Sequence, residues 1–258
     1  MKLRPHLLDQ WLAHYARVDI PYNLGGSTGP AWTVDELLAL EAGSESRLRA
    51  LTLSYQPSEG QLALRQQLAD MSGASAEEFV VTGGGAEALF HIFFLAARAG
   101  ANVVVPDPGF PPYHAVPDAL GLEVRTYDVT RDGLSIDAIR ALVDSNTRLI
   151  LVNSPHNPTG AVVPVETMRE LSELARHHSM QLVCDEVFHP IYHGRPEPSA
   201  ATLPNVTIVS DLSKAFALPG LRIGWIREPD AARRAEYINA REYLSISNSA
   251  AGEFLGEI

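Results

Sequence analysis

Runs such as VVVP at 103–106, LILV at 149–152, QLVC at 181–184 and TIV at 207–209 are apolar throughout, and helix-like segments separate them. A strand with no polar alternation needs cover on both faces, and helical connectors supply that cover by joining parallel strands. The chain is therefore expected to be α/β, with a mostly parallel sheet between two helical layers. EEFVVTGGG reads as a strand entering a glycine loop, AEALFHIFFLAARAG as a helix ending at Gly100, and ANVVVPDPGFPPY as a strand running into a Pro-rich turn. LEVRTYDV, TRLILVNSP, MQLVCDEVF and NVTIVSDLS are further strands, with SIDAIRALV and PVETMRELSELARHH as helices between them. At the start, MKLRPHLLDQWLAHYARV has the spacing of an amphipathic helix without a secretory cleavage pattern, and YNLGGSTGP follows as a glycine-rich loop. TVDELLALEAG reads as a helix begun by Thr33 or Asp35 and stopped by Gly43.

Composition narrows the function classes. With 20 Lys and Arg against 31 Asp and Glu, a net charge of -11 disfavours nucleic acid as a partner, because phosphate backbones call for basic patches. No apolar run approaches the roughly 18 residues of a membrane span. The single cysteine, Cys184, excludes an internal disulfide and suits a reducing cytoplasm. In parallel sheets ligands gather at the carboxyl ends of the strands. The loops there are TGGGAEA, PDPGF, NSPHNPTG, CDEVFHP and SDLSK, and they are expected to share one crevice.

NSPHNPTG at 153–160, CDEVF at 184–188 and SDLSKAFALPGLRIGW at 210–225 resemble, in order and spacing, the signatures of fold-type I pyridoxal phosphate (PLP) enzymes of the class I/II aminotransferase family. The resemblance runs from about Tyr55 to the end. It implies a three-layer α/β/α large domain over 46–258, with 1–45 forming an N-terminal arm and part of a small domain. It also implies that Lys214 forms the Schiff base with PLP and moves the substrate's α-proton, for which a lysine must lose its own proton. Asp185 corresponds to the carboxylate that pairs with the pyridine nitrogen and keeps the ring an electron sink. Asn157 matches the donor to the 3-oxygen, Phe110 the aromatic stacked on the ring, and Arg222 the phosphate guanidinium. Gly84, Gly85 and Ala86, at a strand-to-helix turn, offer backbone N–H groups to the phosphate. Tyr55 resembles a tyrosine that reaches the phosphate across a homodimer.

Two positions depart from the pattern. Phe188 stands where many aminotransferases have a tyrosine that bonds the 3-oxygen. Asp211 stands where a phosphate-binding serine is usual; a carboxylate repels phosphate, so Asp211 is expected to turn away and Ser213 or Ser210 to supply the hydroxyl. Family members also continue into a C-terminal small domain carrying the arginine for the substrate α-carboxylate. This chain stops at GEFLGEI, so it is expected to be truncated or a fragment.

The reading that follows is an aminotransferase acting on an amino acid and a 2-oxo acid. A PLP lyase, racemase or cyclase stays open, since DLSK and NLGGSTGP are loosely similar to the capreomycidine synthase branch, as does a non-catalytic PLP-binding fragment. A nucleotide-binding oxidoreductase would use Gly83, Gly85 and Ala88 with Asp107, but leaves Lys214, Asp185 and Asn157 without a role. His189 and His193 lie in a Pro-containing loop and are not expected to hold a metal.

Overall fold

The apolar runs become neighbouring strands of one sheet. A computed structural model describes residues 2–22, 24–130, 133–194 and 196–258, so Asn23 of the glycine loop and Arg195 of the histidine loop lie outside the described residues. In chain order the elements are α1 (Leu7–Tyr15), α2 (Val34–Leu38), α3 (Ser44–Arg49), α4 (Leu62–Ser72), β1 (Phe79–Thr82), α5 (Gly85–Ala96), β2 (Asn102–Asp107), α6 (Pro112–Ala119) and β3 (Glu123–Thr130). They continue as β4 (Gly133–Leu134), α7 (Ile136–Leu142), β5 (Thr147–Asn153), α8 (Val165–His177), β6 (Gln181–Asp185), β7 (Val206–Asp211), β8 (Gly224–Arg227), α9 (Ala231–Leu244) and α10 (Ala250–Glu257).

The sheet has eight strands in the order β1-β8-β7-β6-β5-β2-β3-β4. β3, β2, β5, β6 and β7 run parallel, while β8 is antiparallel to both of its neighbours and β4 is antiparallel to β3. Alternate residues feed two cores. On one face Val104, Ile150, Leu182, Cys184 and Ile208 pack under α7 and α8. On the other Val103, Val105, Leu151, Val183 and Val209 pack under α5, α6 and α9. The three-layer expectation therefore holds.

Helix α8 fits its place because Met168, Leu171, Leu174 and Ala175 fall on one face at helical spacing and are buried. The segment begun by Thr33 does have a capping box with Glu36, but it ends at Leu38 rather than running to Gly43. The Ser44 hydroxyl donates to the Leu38 carbonyl at 2.6 Å, and α3 starts afresh after Gly43 at φ 85°. The PDPGFPPY turn continues directly into α6, because proline at a first helical turn has no N–H to leave unpaired. Helix α1 forms, yet none of its residues is buried.

Candidate cofactor site

Four strand ends and the first turn of α5 surround a cleft of about 260 Å³ whose walls include Gly85, Ala86, Phe110, Asn157, Asp185, Phe188, Asp211, Ser213, Lys214 and Arg222. The crevice expected at the carboxyl ends of the strands is thus present. From the N-terminal segment Leu8, Asp9, Leu12 and Ser27 close one side of it.

Asp185 ends β6 at the bottom. It is 3% exposed, its Oδ2 accepts the Tyr113 hydroxyl at 2.8 Å and its Oδ1 accepts the Val187 N–H at 3.0 Å. Burial pushes its carboxyl up to about 6 against the pull of those two donors, and the charge of Asp211 adds to the rise. A carboxylate in this position is stabilised by any cationic N–H placed against it. The same burial, with Asp185 alongside, raises the Tyr113 hydroxyl well above its ordinary value.

Asn153, at the end of β5, ties two loops together. Its amide donates to the Asp185 carbonyl at 2.9 Å and its oxygen accepts the Asn157 N–H at 2.7 Å. Phe110 is half-buried in the wall, its ring edge-on to Tyr113 at 5.8 Å and to His6 at 6.1 Å. Lys214 is half-buried, and its Nζ donates to Ser27 Oγ at 2.7 Å.

The anion end is built on Gly84, which caps α5 at φ 99°. At that φ any L side chain is strained, and a Cβ there would also displace the Arg222 guanidinium, so the turn calls for glycine. Arg222 Nη2 donates to the Gly83 carbonyl at 3.2 Å and Nη1 to the Pro219 carbonyl at 3.0 Å, with Ser213 Oγ at 3.5 Å. Arg222 forms no ion pair among the described residues. Beneath the turn, Glu87 accepts the Gly83 N–H at 2.8 Å and the Ser245 hydroxyl at 2.8 Å.

Asp211 behaves contrary to expectation. It does not turn away: Oδ2 accepts the Gly85 N–H at 3.1 Å and Oδ1 accepts the Ser213 N–H at 2.8 Å. These two backbone donors hold the carboxylate at the turn. Of the two serines considered, only Ser213 reaches the cleft; Ser210 points to the opposite sheet face and donates to the Glu186 carbonyl at 3.1 Å. Tyr55 stands apart from the cleft of its own chain and is 81% exposed. His189 is half-buried and paired with the Tyr192 hydroxyl at 2.7 Å.

Sequence reasoning missed Tyr113, Asn153 and Glu87. Tyr113 follows Phe110 by three residues, a signal obscured by reading the prolines as a turn alone.

The family model described as aminotransferase class I and II matches residues 36–255. The chain belongs to the class I and II aminotransferase family. Within it, the chain is 34% identical over 224 residues to an aspartate/prephenate aminotransferase of Thermus thermophilus, covering 78% of this chain and 58% of the relative. It is 32% identical over 186 residues to the S-alkyl-thiohydroximate lyase SUR1 of Arabidopsis thaliana, covering 67% and 40%. A solved PLP-dependent aminotransferase from Streptococcus suis superposes with a TM-score of 0.91 at 25% identity, over 100% of this chain and 70% of that one. The chain spans about half the length of the curated relatives it matches. The glycine spacing that would suit a dinucleotide is, in this aminotransferase fold, the turn that opens α5.

The family implies PLP as cofactor, and the residues present fit it. A buried carboxylate below, an aromatic wall, an amine, and a guanidinium with no ion-pair partner beside a helix N-terminus match a phosphorylated pyridine aldehyde in both shape and charge. Asp211 is the one group against that fit.

Proposed function

We propose that this chain is the cofactor-binding large domain of an aminotransferase that moves an amino group between an amino acid and a 2-oxo acid. The observation that carries the reading is the convergence of Asp185, at the end of β6, with Lys214 and Arg222, from the β7–β8 connection, around a single cleft.

PLP, when bound, supplies a conjugated ring that accepts the electron pair left on a substrate's α-carbon. With PLP bound, Lys214 Nζ would be the amine that holds its aldehyde and would carry a proton to and from the substrate's α-carbon. Asp185 would hold a proton on the ring nitrogen, and Tyr113 and the Val187 N–H orient that carboxylate. Asn157 would hold the 3-oxygen and Phe110 the ring, and Leu8 and Leu12 would limit water at the mouth. Arg222, the Ser213 hydroxyl and the turn at Gly84 to Ala86 bind the phosphate. Apart from Arg222 no arginine lines the cleft among the described residues, so nothing in these walls selects a substrate carboxylate. A second copy of the chain is proposed to bring Tyr55 to the phosphate, which its 81% exposure allows. The division at residues 45 and 46 and a reducing cytoplasmic setting, suited to the buried free thiol of Cys184, belong to the same proposal.

A second reading, lyase or cyclase chemistry on the same site, is favoured by the missing hydroxyl at Phe188. A 2-oxo acid co-substrate separates the two, since only transamination consumes it stoichiometrically.

The test is a visible absorption titration with PLP of the wild type beside Lys214→Ala. Lys2 and Lys214 are the only lysines in the sequence, so the comparison is clean. A band present only with Lys214 supports the site, while identical spectra would sink it.

A further inference from the structure

Asp211 is an anion inside a site for anions. It is 7% exposed, and it takes two backbone N–H groups at the turn, those of Gly85 and Ser213. Gly85 admits the carboxylate, because a Cβ there would stand 3.2 Å from Oδ2. The turn is also pressed onto β8: a Cβ on Gly224 would lie 2.5 Å from the Gly84 carbonyl carbon and 2.7 Å from the Gly85 nitrogen. Cradle and carboxylate are therefore held together by backbone on both sides. What is left for an incoming phosphate is the exposed N-terminal end of α5 at Ala86, the Ser213 hydroxyl and the Arg222 guanidinium.

We propose that Asp211 is a built-in anion that occupies part of the phosphate cradle and sets how much the phosphate contributes to cofactor binding. The inference rests on the PLP reading of the cleft. A phosphate monoester carries close to two negative charges at neutral pH. Placing it beside a fixed carboxylate is repulsive, and the repulsion is strong where water is scarce. Arg222 and Lys214 offset part of it, while Asp185 lies too deep and bears the same sign. The ring-binding groups Asp185, Asn157 and Phe110 meet the phosphorylated and unphosphorylated aldehydes alike, so the chain holds the pyridine aldehyde by its ring more than by its phosphate. Residue 211 is in this sense a specificity-determining position: serine there would favour the phosphorylated cofactor, whereas aspartate narrows its advantage over the unphosphorylated aldehyde.

The experiment compares wild type, Asp211→Asn and Asp211→Ser for equilibrium binding of PLP and of pyridoxal, which lacks the phosphate, followed by the visible band that depends on Lys214. Asparagine keeps an acceptor for the Gly85 N–H and nearly the same volume, so it guards against a fold defect in the serine variant. The ratio of pyridoxal to PLP dissociation constants is expected to rise at least about tenfold in both variants, because the effect of the Asp211 charge on Asp185 is common to both ligands and cancels in the ratio. An unchanged or smaller ratio, or a parallel loss of both ligands, overturns the proposal and leaves Asp211 a structural cap of the turn. If no Lys214-dependent band forms with either compound in any variant, the PLP reading itself fails and this inference falls with it. A PLP band with an unaltered ratio sinks the inference alone.

Discussion

The Tyr113 hydroxyl donates to Asp185 Oδ2 at 2.8 Å, across the floor of the cleft, from the first turn of α6 to the last residue of β6. This bond joins the Pro-rich loop to the central strand and fixes the direction in which the carboxylate faces. It also provides one of the two donors, with the Val187 N–H, that oppose the burial of Asp185 among the described residues.

Replacing Tyr113 by Phe removes that donor while leaving the desolvation in place, so the Asp185 carboxyl should rise further above about 6. A protonated Asp185 cannot pair with a protonated ring nitrogen. PLP binding to Tyr113→Phe is therefore expected to weaken about tenfold at pH 7, the scale of one hydrogen bond to a charged group. The deficit should be larger at pH 6 than at pH 8.5. A deficit independent of pH, measured by absorption titration at the three values, would mean that Tyr113 matters only for packing.

Glu186 gives a pH test outside the cleft. Burial lifts its carboxyl to about 7, against hydrogen bonds from Ser199 and the Ala200 N–H. Between its ordinary value of 4.5 and about 7 the folded chain holds a proton that the unfolded chain has lost, so stability falls as pH rises through this window. His156 and His189, whose values burial depresses, act in the opposite direction over part of the same range. Comparing variant with wild type cancels them. Glutamine resembles the protonated acid, and the melting temperature of Glu186→Gln relative to wild type should climb by several degrees from pH 5 to pH 8. A flat difference would contradict the raised value.

How much of this was legible beforehand depends on the range of the contact involved. Lys214, Asp185, Asn157 and Phe110 each follow a strand within its own motif, so the order of apolar runs and loops was enough to bring them to one place. Asp211 is different, because its orientation depends on the Gly85 N–H, 126 positions away in the chain. Charge alone predicts repulsion there, yet a carboxylate satisfies buried N–H groups as well as a phosphate does. Glu87 looked like an ordinary helix residue until α9 delivered Ser245, 158 positions on, to its side chain. The long helix foreseen from Thr33 failed for a local reason, the Ser44 hydroxyl taking the Leu38 carbonyl, which periodicity does not register.

Beneath the glycine turn Arg241 is fully buried, with Glu87 at 3.8 Å and further hydrogen bonds to the Ser58 carbonyl and Asn248. Burial alone would raise Glu87; donors from His91, Ser245 and the Gly83 N–H, with the Arg241 charge, outweigh it and hold Glu87 at about 2. Arg241→Met removes that charge together with the bonds to Ser58 and Asn248 and should cost about 3 kcal/mol or more at pH 7 in urea unfolding. Adding Glu87→Gln should recover part of the loss. Strict additivity of the two substitutions would show that the pair is not coupled.

Phe188 and Asn157 line the same wall of the cleft. A tyrosine in place of Phe188 would put a second donor near the 3-oxygen, and a donor to an ionised oxygen favours the ionised form. In the PLP-loaded protein, Phe188→Tyr is therefore expected to lower the pH midpoint at which the visible band changes, by about one unit, with little effect on PLP affinity. Asn157→Ala should move the midpoint the other way in the wild-type background and do less when combined with Phe188→Tyr. If Phe188→Tyr leaves the midpoint where it was, the added hydroxyl does not reach the 3-oxygen, and the roles assigned to this wall must be redrawn.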